Sequence, residues 1–162
     1  MTDTTVPINF DLYFITDRDL SKGRSLEWIV EKAIKGGVTI VQLREKDIET
    51  KEFIEEAKSI QKILKPYKVP LIINDRVDVA LAIEADGVHL GQKDMPYTMA
   101  RKILGDEAII GLSVESIEQA EEANQLDVDY IAISPVFTTP TKEELTEELG
   151  LKGVQKITGL SR

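Results

Sequence analysis

The feature that most constrains this chain is a repeated change of hydrophobic period. Apolar, β-branched runs stand at 12–16 (LYFIT), 39–44 (TIVQLR), 70–75 (PLIIND), 87–90 (GVHL), 109–114 (IIGLSV) and 130–134 (YIAIS). Between them the apolar residues recur at helical spacing. LEWIVEKAIKGG closes on Gly36-Gly37, a helix stop, and KEFIEEAKSIQKILKPY is ended by Pro66. VDVALAIEA, TMARKIL, SIEQAEEANQL and GLKGVQKI supply the rest. Six strand–helix alternations predict an α/β fold of parallel strands joined by right-handed crossovers.

Two architectures satisfy that pattern: an open doubly wound sheet and a (β/α)8 barrel. Barrels take about 200 residues at minimum and about 250 typically. The 162 residues here favour the open sheet on length alone, and one domain. The composition, 42% hydrophobic and 30% charged, is that of a globular protein. A net charge of −9 argues against nucleic acid as the main partner, since phosphate backbones need a basic surface. It leaves room for a small phosphorylated ligand in a local basic pocket. There is no cysteine, hence no disulfide framework and no thiolate chemistry. No apolar run reaches the roughly 18 residues of a membrane span, and MTDTTVPINF lacks the pattern of a signal peptide. The expectation is a cytoplasmic protein without membrane or nucleic-acid partners.

Polar residues gather where the predicted strands end, and in parallel α/β folds ligands bind at those ends. The first strand runs into Thr16, Asp17 and Arg18, the second into QLREK, the third into Asn74 and Asp75. The fourth leads to Gln92 and Asp94. The fifth carries Ser113, and the sixth runs into Ser134, Thr138, Thr139, Thr141 and Lys142. Alternation within a strand puts Gln42, Arg44 and Lys46 on one face. Arg44, Lys46 and Lys142 are cations. Arginine offers a planar fork for phosphate oxygens and lysine a movable point charge. Asp75 and Asp94 would repel a phosphate unless a magnesium ion bridged them, and magnesium favours one or two carboxylates with phosphate and water. The set suits a metal–diphosphate site.

Each residue also has a plainer reading. Lys46 fits a solvated turn, and Arg44 a surface pair with Glu45 or Asp47. Asp75 and Asp94 are each placed to cap a following helix. His89, the only histidine, suits an inward-facing, hydrogen-bonded strand position better than acid–base or metal chemistry. Tyr13 and Trp28 read as core. TTPT fits a turn around Pro140, and KEELTEEL a solvated face.

The segments YFITDR, GGVTIVQLREK, VPLIINDRVDVAL, ADGVHLGQKDMP, IIGLSV and DYIAISPVFTTPTKEE together resemble thiamine-phosphate synthase, of the superfamily that also contains a thiazole tautomerase branch. The likeness runs from about residue 12 onward, and the combination of QLREK, NDRVD, HLGQ.D and P.F.TPTK is specific. It implies a TIM (β/α)8-type barrel of which about six βα units are present, so that residues 1–162 form a single, incomplete barrel domain. It implies a transferase that joins a hydroxymethylpyrimidine diphosphate to a thiazole phosphate with loss of diphosphate. Carried over, Gln42, Leu43, Arg44, Glu45, Lys46 and Asn74 would bind the pyrimidine diphosphate, with Ser113 and Lys142. Asp75 and Asp94 would hold Mg2+, and Thr139, Pro140 and Thr141 would wall the thiazole phosphate. Arg44, Lys46 and Lys142 would stabilise the departing charge. No protein nucleophile is required.

The resemblance also sets expectations about what is lacking. The family's seventh strand with paired glycines, and its eighth with a serine-bearing turn, complete the thiazole phosphate pocket. Neither follows KITGLSR. A C-terminally truncated synthase is expected, with little turnover on its own and two open sheet edges that a homo-oligomer would cover. Three other readings compete: the tautomerase branch, a non-catalytic ligand-binding fragment, and a phosphate-binding barrel of another pathway. Asp75, Asp94 and QLREK favour the synthase over the first. Magnesium-dependent binding without product would favour the second. The third usually draws on strands seven and eight.

Overall fold

In the computed structural model, residues 8–138 and 148–160 are described, and strands and helices alternate in the predicted order. The strands are β1 (Tyr13–Ile15), β2 (Ile40–Leu43), β3 (Leu71–Asn74), β4 (Gly87–Leu90), β5 (Ile109–Val114) and β6 (Tyr130–Ile133). The helices are α1 (Leu26–Lys35), α2 (Thr50–Leu64), α3 (Val77–Ile83), α4 (Tyr97–Leu104), α5 (Ile117–Ala123) and α6 (Gly150–Thr158). The chain divides into two compact units, Met1–Gly87 and Val88–Arg162.

In the first unit β1, β2 and β3 lie side by side and parallel. Tyr13 pairs with Ile40 and Ile15 with Gln42, while Val41 pairs with Leu71 and Leu43 with Ile73. β2 and β3 are buried along their whole length, as expected of parallel strands covered by helices. The cover comes from helix positions spaced three to four apart. Leu26, Val30 and Ile34 of α1 are buried, as are Phe53, Ala57, Ile60 and Leu64 of α2. A fully buried Ile or Leu contributes about 2 kcal/mol by area. Helix α1 starts at Ser25, whose hydroxyl accepts the Trp28 N–H at 3.3 Å. It stops at Gly36, and Gly37 follows at φ +96°, where a side chain would be strained. Helix α2 gives way to a short 3₁₀ turn over Lys65–Tyr67, because Pro66 has no N–H to continue the ladder.

In the second unit β5 and β6 are parallel, with Gly111 opposite Tyr130 and Ser113 opposite Ala132. Val114, Ala120, Ala123 and Ile157 form its buried core, with Leu112, Ile117, Ile131, Ile133, Leu149 and Leu160 packed around them. Gly111 is there because Tyr130 takes its side-chain space. A Cβ on Gly111 would lie 2.0 Å from Tyr130 Cζ.

Trp28 is not core. It is 46% exposed, with the Arg24 guanidinium 5.9 Å and the Lys32 ammonium 5.5 Å from its ring centroid, within cation–π range. The physical reason is spacing. Residues 28 and 32 share a helix face that excludes Leu26, Val30 and Ile34, and Arg24, just before the helix, reaches the same side. No helix among the described residues is long and apolar enough to cross a membrane.

Candidate active site

In the first unit the polar side chains sit at the C-terminal ends of three adjacent strands. Gln42 is the third residue of β2 and is buried, with its Nε2 donating to the Tyr13 hydroxyl at 2.8 Å. Tyr13 is thus a polar partner as well as an apolar body. Leu43, next along, is fully buried on the other face. Arg44 follows the strand. Its guanidinium stands 3.9 Å from Asp17 rather than beside Glu45 or Asp47. Its backbone N–H donates to Thr16 Oγ1 at 3.0 Å. Asn74 closes β3, one residue past the Leu43–Ile73 pairing and so level with Arg44. It is buried, and its Nδ2 has no hydrogen-bond partner among the described residues.

Lys46 is a paired turn residue: its ammonium meets the Asp75 carboxylate in a short ion pair. Asp75 does not cap α3, whose N-cap is Arg76. It stands instead at φ +61°, a left-handed conformation uncommon outside glycine but tolerated best by Asn and Asp. A non-glycine residue in that region, beside a cation and at a strand end, belongs to the class of outliers that cluster at functional sites. Glu45 is buried where Arg44 and Lys46 are not. Its side chain is 2% exposed, and Oε2 accepts from Arg18 Nε at 2.9 Å.

In the second unit β4 and β5 carry a separate polar set. His89 is buried, with Nδ1 3.0 Å from the Tyr130 hydroxyl and Nε2 2.9 Å from Ser113 Oγ. The two rings stack at 5.5 Å. The packed, hydrogen-bonded role expected of His89 is the one observed. Gln92 donates to the Ser113 carbonyl at 2.6 Å. Asp94 Oδ2 accepts the Gly91 N–H at 2.7 Å, and the N-cap of α4 is Pro96. Asp94 therefore orders its own loop and does not cap that helix. Thr138 donates its N–H to Glu148 at 2.8 Å, and the Thr138 side chain first, then this N–H, lower the pKa of that carboxyl. Thr139, Pro140, Thr141 and Lys142 lie outside the described residues.

Among the described residues no three His, Cys, Asp or Glu side chains form a ready-made metal cage. Asp75 in the first unit and Asp94 in the second are each, taken singly, suited to magnesium by donor chemistry. Both are hard oxygen donors, and magnesium needs few protein ligands when a phosphate supplies the others. The Lys46 ammonium already beside Asp75 shows that this carboxylate accepts a positive charge where it stands.

Parallel strands with arginine, lysine, amide and carboxylate side chains at their C-terminal ends define an α/β enzyme suited to an anionic substrate. The model of the family described as thiamine monophosphate synthase matches residues 12–162. A thiamine-phosphate synthase of Clostridium novyi (strain NT) is 53% identical over 151 residues, covering 93% of this chain and 74% of the relative. One of Syntrophomonas wolfei is 51% identical over 144 residues, covering 89% and 69%. A solved structure of thiamine phosphate pyrophosphorylase from Pyrococcus furiosus superposes with a TM-score of 0.82 at 39% identity, covering 93% of this chain and 70% of that one. The chain belongs to the thiamine monophosphate synthase family. It is accordingly a transferase of thiamine biosynthesis.

Sequence reasoning missed how these groups are partnered. The Tyr13–Gln42 and Tyr130–His89 bonds join residues far apart in the chain.

Proposed function

We propose that the chain condenses 4-amino-2-methyl-5-hydroxymethylpyrimidine diphosphate with a thiazole phosphate, giving thiamine phosphate and diphosphate, in a TIM-type barrel. The observation that carries the reading is the cationic corner at the ends of β2 and β3. There Lys46 pairs with Asp75, Arg44 stands beside Asp17, and the buried Asn74 amide nitrogen has no partner among the described residues. Diphosphate departs as a polyanion. The interactions that matter are those that strengthen as charge builds on the leaving oxygen. Arg44 can meet two phosphate oxygens at once through its fork. Lys46 adds a point charge, and Lys142 is assigned the same role. Gln42, Asn74 and Ser113 are assigned neutral donors to the pyrimidine diphosphate. Leu43, buried by its side chain, would contribute backbone only. Thr139, Pro140 and Thr141 are assigned to the thiazole phosphate.

Asp75 and Asp94 are assigned to magnesium, which when bound would neutralise diphosphate charge as a Lewis acid. The remaining task falls to positioning. The pyrimidine methylene must be held against the thiazole nitrogen while water is kept away. Inorganic diphosphate and thiamine phosphate are then released in the cytoplasm, with no nucleic acid or membrane involved.

The test is product analysis by mass spectrometry with both substrates and magnesium. Even a low rate of thiamine phosphate formation that needs all three components, and that falls about 100-fold in Arg44→Ala as expected for a lost transition-state contact, supports the reading. Pyrimidine diphosphate left intact, with the thiazole compound isomerised instead, would favour the tautomerase reading.

A further inference from the structure

We propose that Arg18, with Glu56, is a positioning device for the diphosphate-binding turn, and that Glu45 is its handle rather than a substrate ligand. This rests on the diphosphate reading of Arg44 and Lys46. Three consecutive residues after β1 grip two consecutive residues after β2. Thr16 Oγ1 accepts the Arg44 N–H at 3.0 Å, and the Thr16 N–H donates to the Gln42 carbonyl at 2.9 Å. Asp17 lies 3.9 Å from the Arg44 guanidinium. Arg18 Nε donates to Glu45 at 2.9 Å, while its Nη2 donates to both Glu56 oxygens at 2.9 and 2.8 Å. The two strand ends and helix α2 are thereby tied together through one guanidinium.

The arrangement is costly unless it positions something. The Glu45 side chain is almost wholly withdrawn from solvent, and its second oxygen, Oε1, has no hydrogen-bond partner among the described residues. Desolvating a carboxylate with a single donor is poor for stability. A neutral or apolar residue would serve the core better. What the buried carboxylate does supply is an anchor. Glu45 is drawn to helix α2 through the Arg18–Glu56 pairing, and it is flanked by Arg44 and Lys46, the two cations of the turn, so that anchoring it fixes the backbone that carries both. Arg18 and Glu56 are mutually reinforcing partners here. The Arg18 guanidinium is held charged chiefly by its bond to Glu45, against the opposing effect of burial. Burial raises the Glu56 pKa, and the same guanidinium opposes that rise. The guanidinium of Arg18 is spent on Glu45 and Glu56 and is assigned no bond to the diphosphate, so its loss should loosen the turn without removing a ligand.

The probe is inorganic diphosphate with magnesium, titrated calorimetrically into the full chain alongside a thermal melt. The wild type should bind, and Arg44→Ala should lose binding. Arg18→Met should bind about tenfold more weakly and melt lower, since it strands a buried charge. The deciding variant is Arg18→Met/Glu45→Gln, which removes the guanidinium together with the carboxylate buried against it and leaves Glu56, the more exposed of the two acids, to solvent. A structural role predicts that melting temperature and affinity recover together. The positioning role predicts that the melting temperature recovers and the affinity stays at least fivefold low. Arg18→Met binding as wild type, or full recovery of affinity in the double variant, overturns the proposal and leaves the diphosphate reading intact. Absence of binding by the wild type overturns both. Should Arg18→Met fail to fold, the double variant decides alone, with Glu56→Gln, expected two- to threefold weaker, as its companion.

Discussion

At the scale of single residues, the sharpest constraint is Gly111. Its Cβ position is occupied by the Tyr130 ring, and backbone and ring cannot both yield without disturbing the β5–β6 pairing. Gly111→Ala is expected to destabilise the protein by about 1–3 kcal/mol, the usual range for overpacking, measured by denaturant unfolding. Tyr130→Phe removes only the hydroxyl beside His89 and should cost about 1 kcal/mol. A second residue-scale prediction concerns pH. The bond from Arg76 holds the Asp78 carboxyl below the usual carboxylate range. A depressed carboxyl adds stability above its unfolded pKa, and loses it as pH falls through the folded value. Asp78→Asn should therefore lower stability at neutral pH. Because the side chain is mostly exposed, the loss should be below about 1 kcal/mol. The difference should vanish in acid below both pKa values. An unchanged difference there would show that the effect is not ionic.

At the scale of elements, one device recurs at the strand starts. The residue just before one strand accepts an N–H at the start of the strand beside it. Thr39 Oγ1 takes the Leu12 N–H at 3.0 Å, Asp86 the Leu71 N–H at 2.8 Å, and Asp129 the Ile110 N–H at 2.8 Å. These bonds satisfy backbone donors that the ladder leaves open. Asp86→Ala should cost about 1–3 kcal/mol by stranding the Leu71 N–H. Chemical unfolding checks this, with Asp86→Asn, which keeps an acceptor, as the milder control. The elements themselves were legible in the sequence because their signals are local. Periods of 2 and 3.6, Gly36-Gly37 and Pro66 each act within a few residues, and all six strands and six helices stand where those signals put them. Partners were less legible. Trp28 needed its phase on α1 counted against Leu26 and Val30, and hydrophobicity alone misplaced it. The Lys46–Asp75 and Arg18–Glu45–Glu56 pairs depend on which strand ends become neighbours, and one-dimensional periodicity does not contain that.

At the scale of the whole molecule, β1 has β2 as its strand neighbour and β6 has β5. Around β1 the apolar side chains of Phe10, Leu12, Ile15 and Leu20 are exposed. A strand with one neighbour among the described residues, and with apolar side chains exposed beside it, promotes association. The chain is expected to self-associate with rising concentration in sedimentation experiments, and Ile15→Lys should shift it toward monomer. The candidate site was legible as a list of residue types at strand ends, and the resemblance turned that list into roles. Their joint action is a property of the assembled protein, and binding energy reports it. The most direct measurement is calorimetric titration of the pyrimidine diphosphate into the chain, with magnesium and with chelator, for wild type and Arg44→Ala. Magnesium-dependent binding that is lost in Arg44→Ala is the predicted result. Binding of equal strength in the variant, or none in the wild type with magnesium present, would contradict a diphosphate site at the ends of β2 and β3.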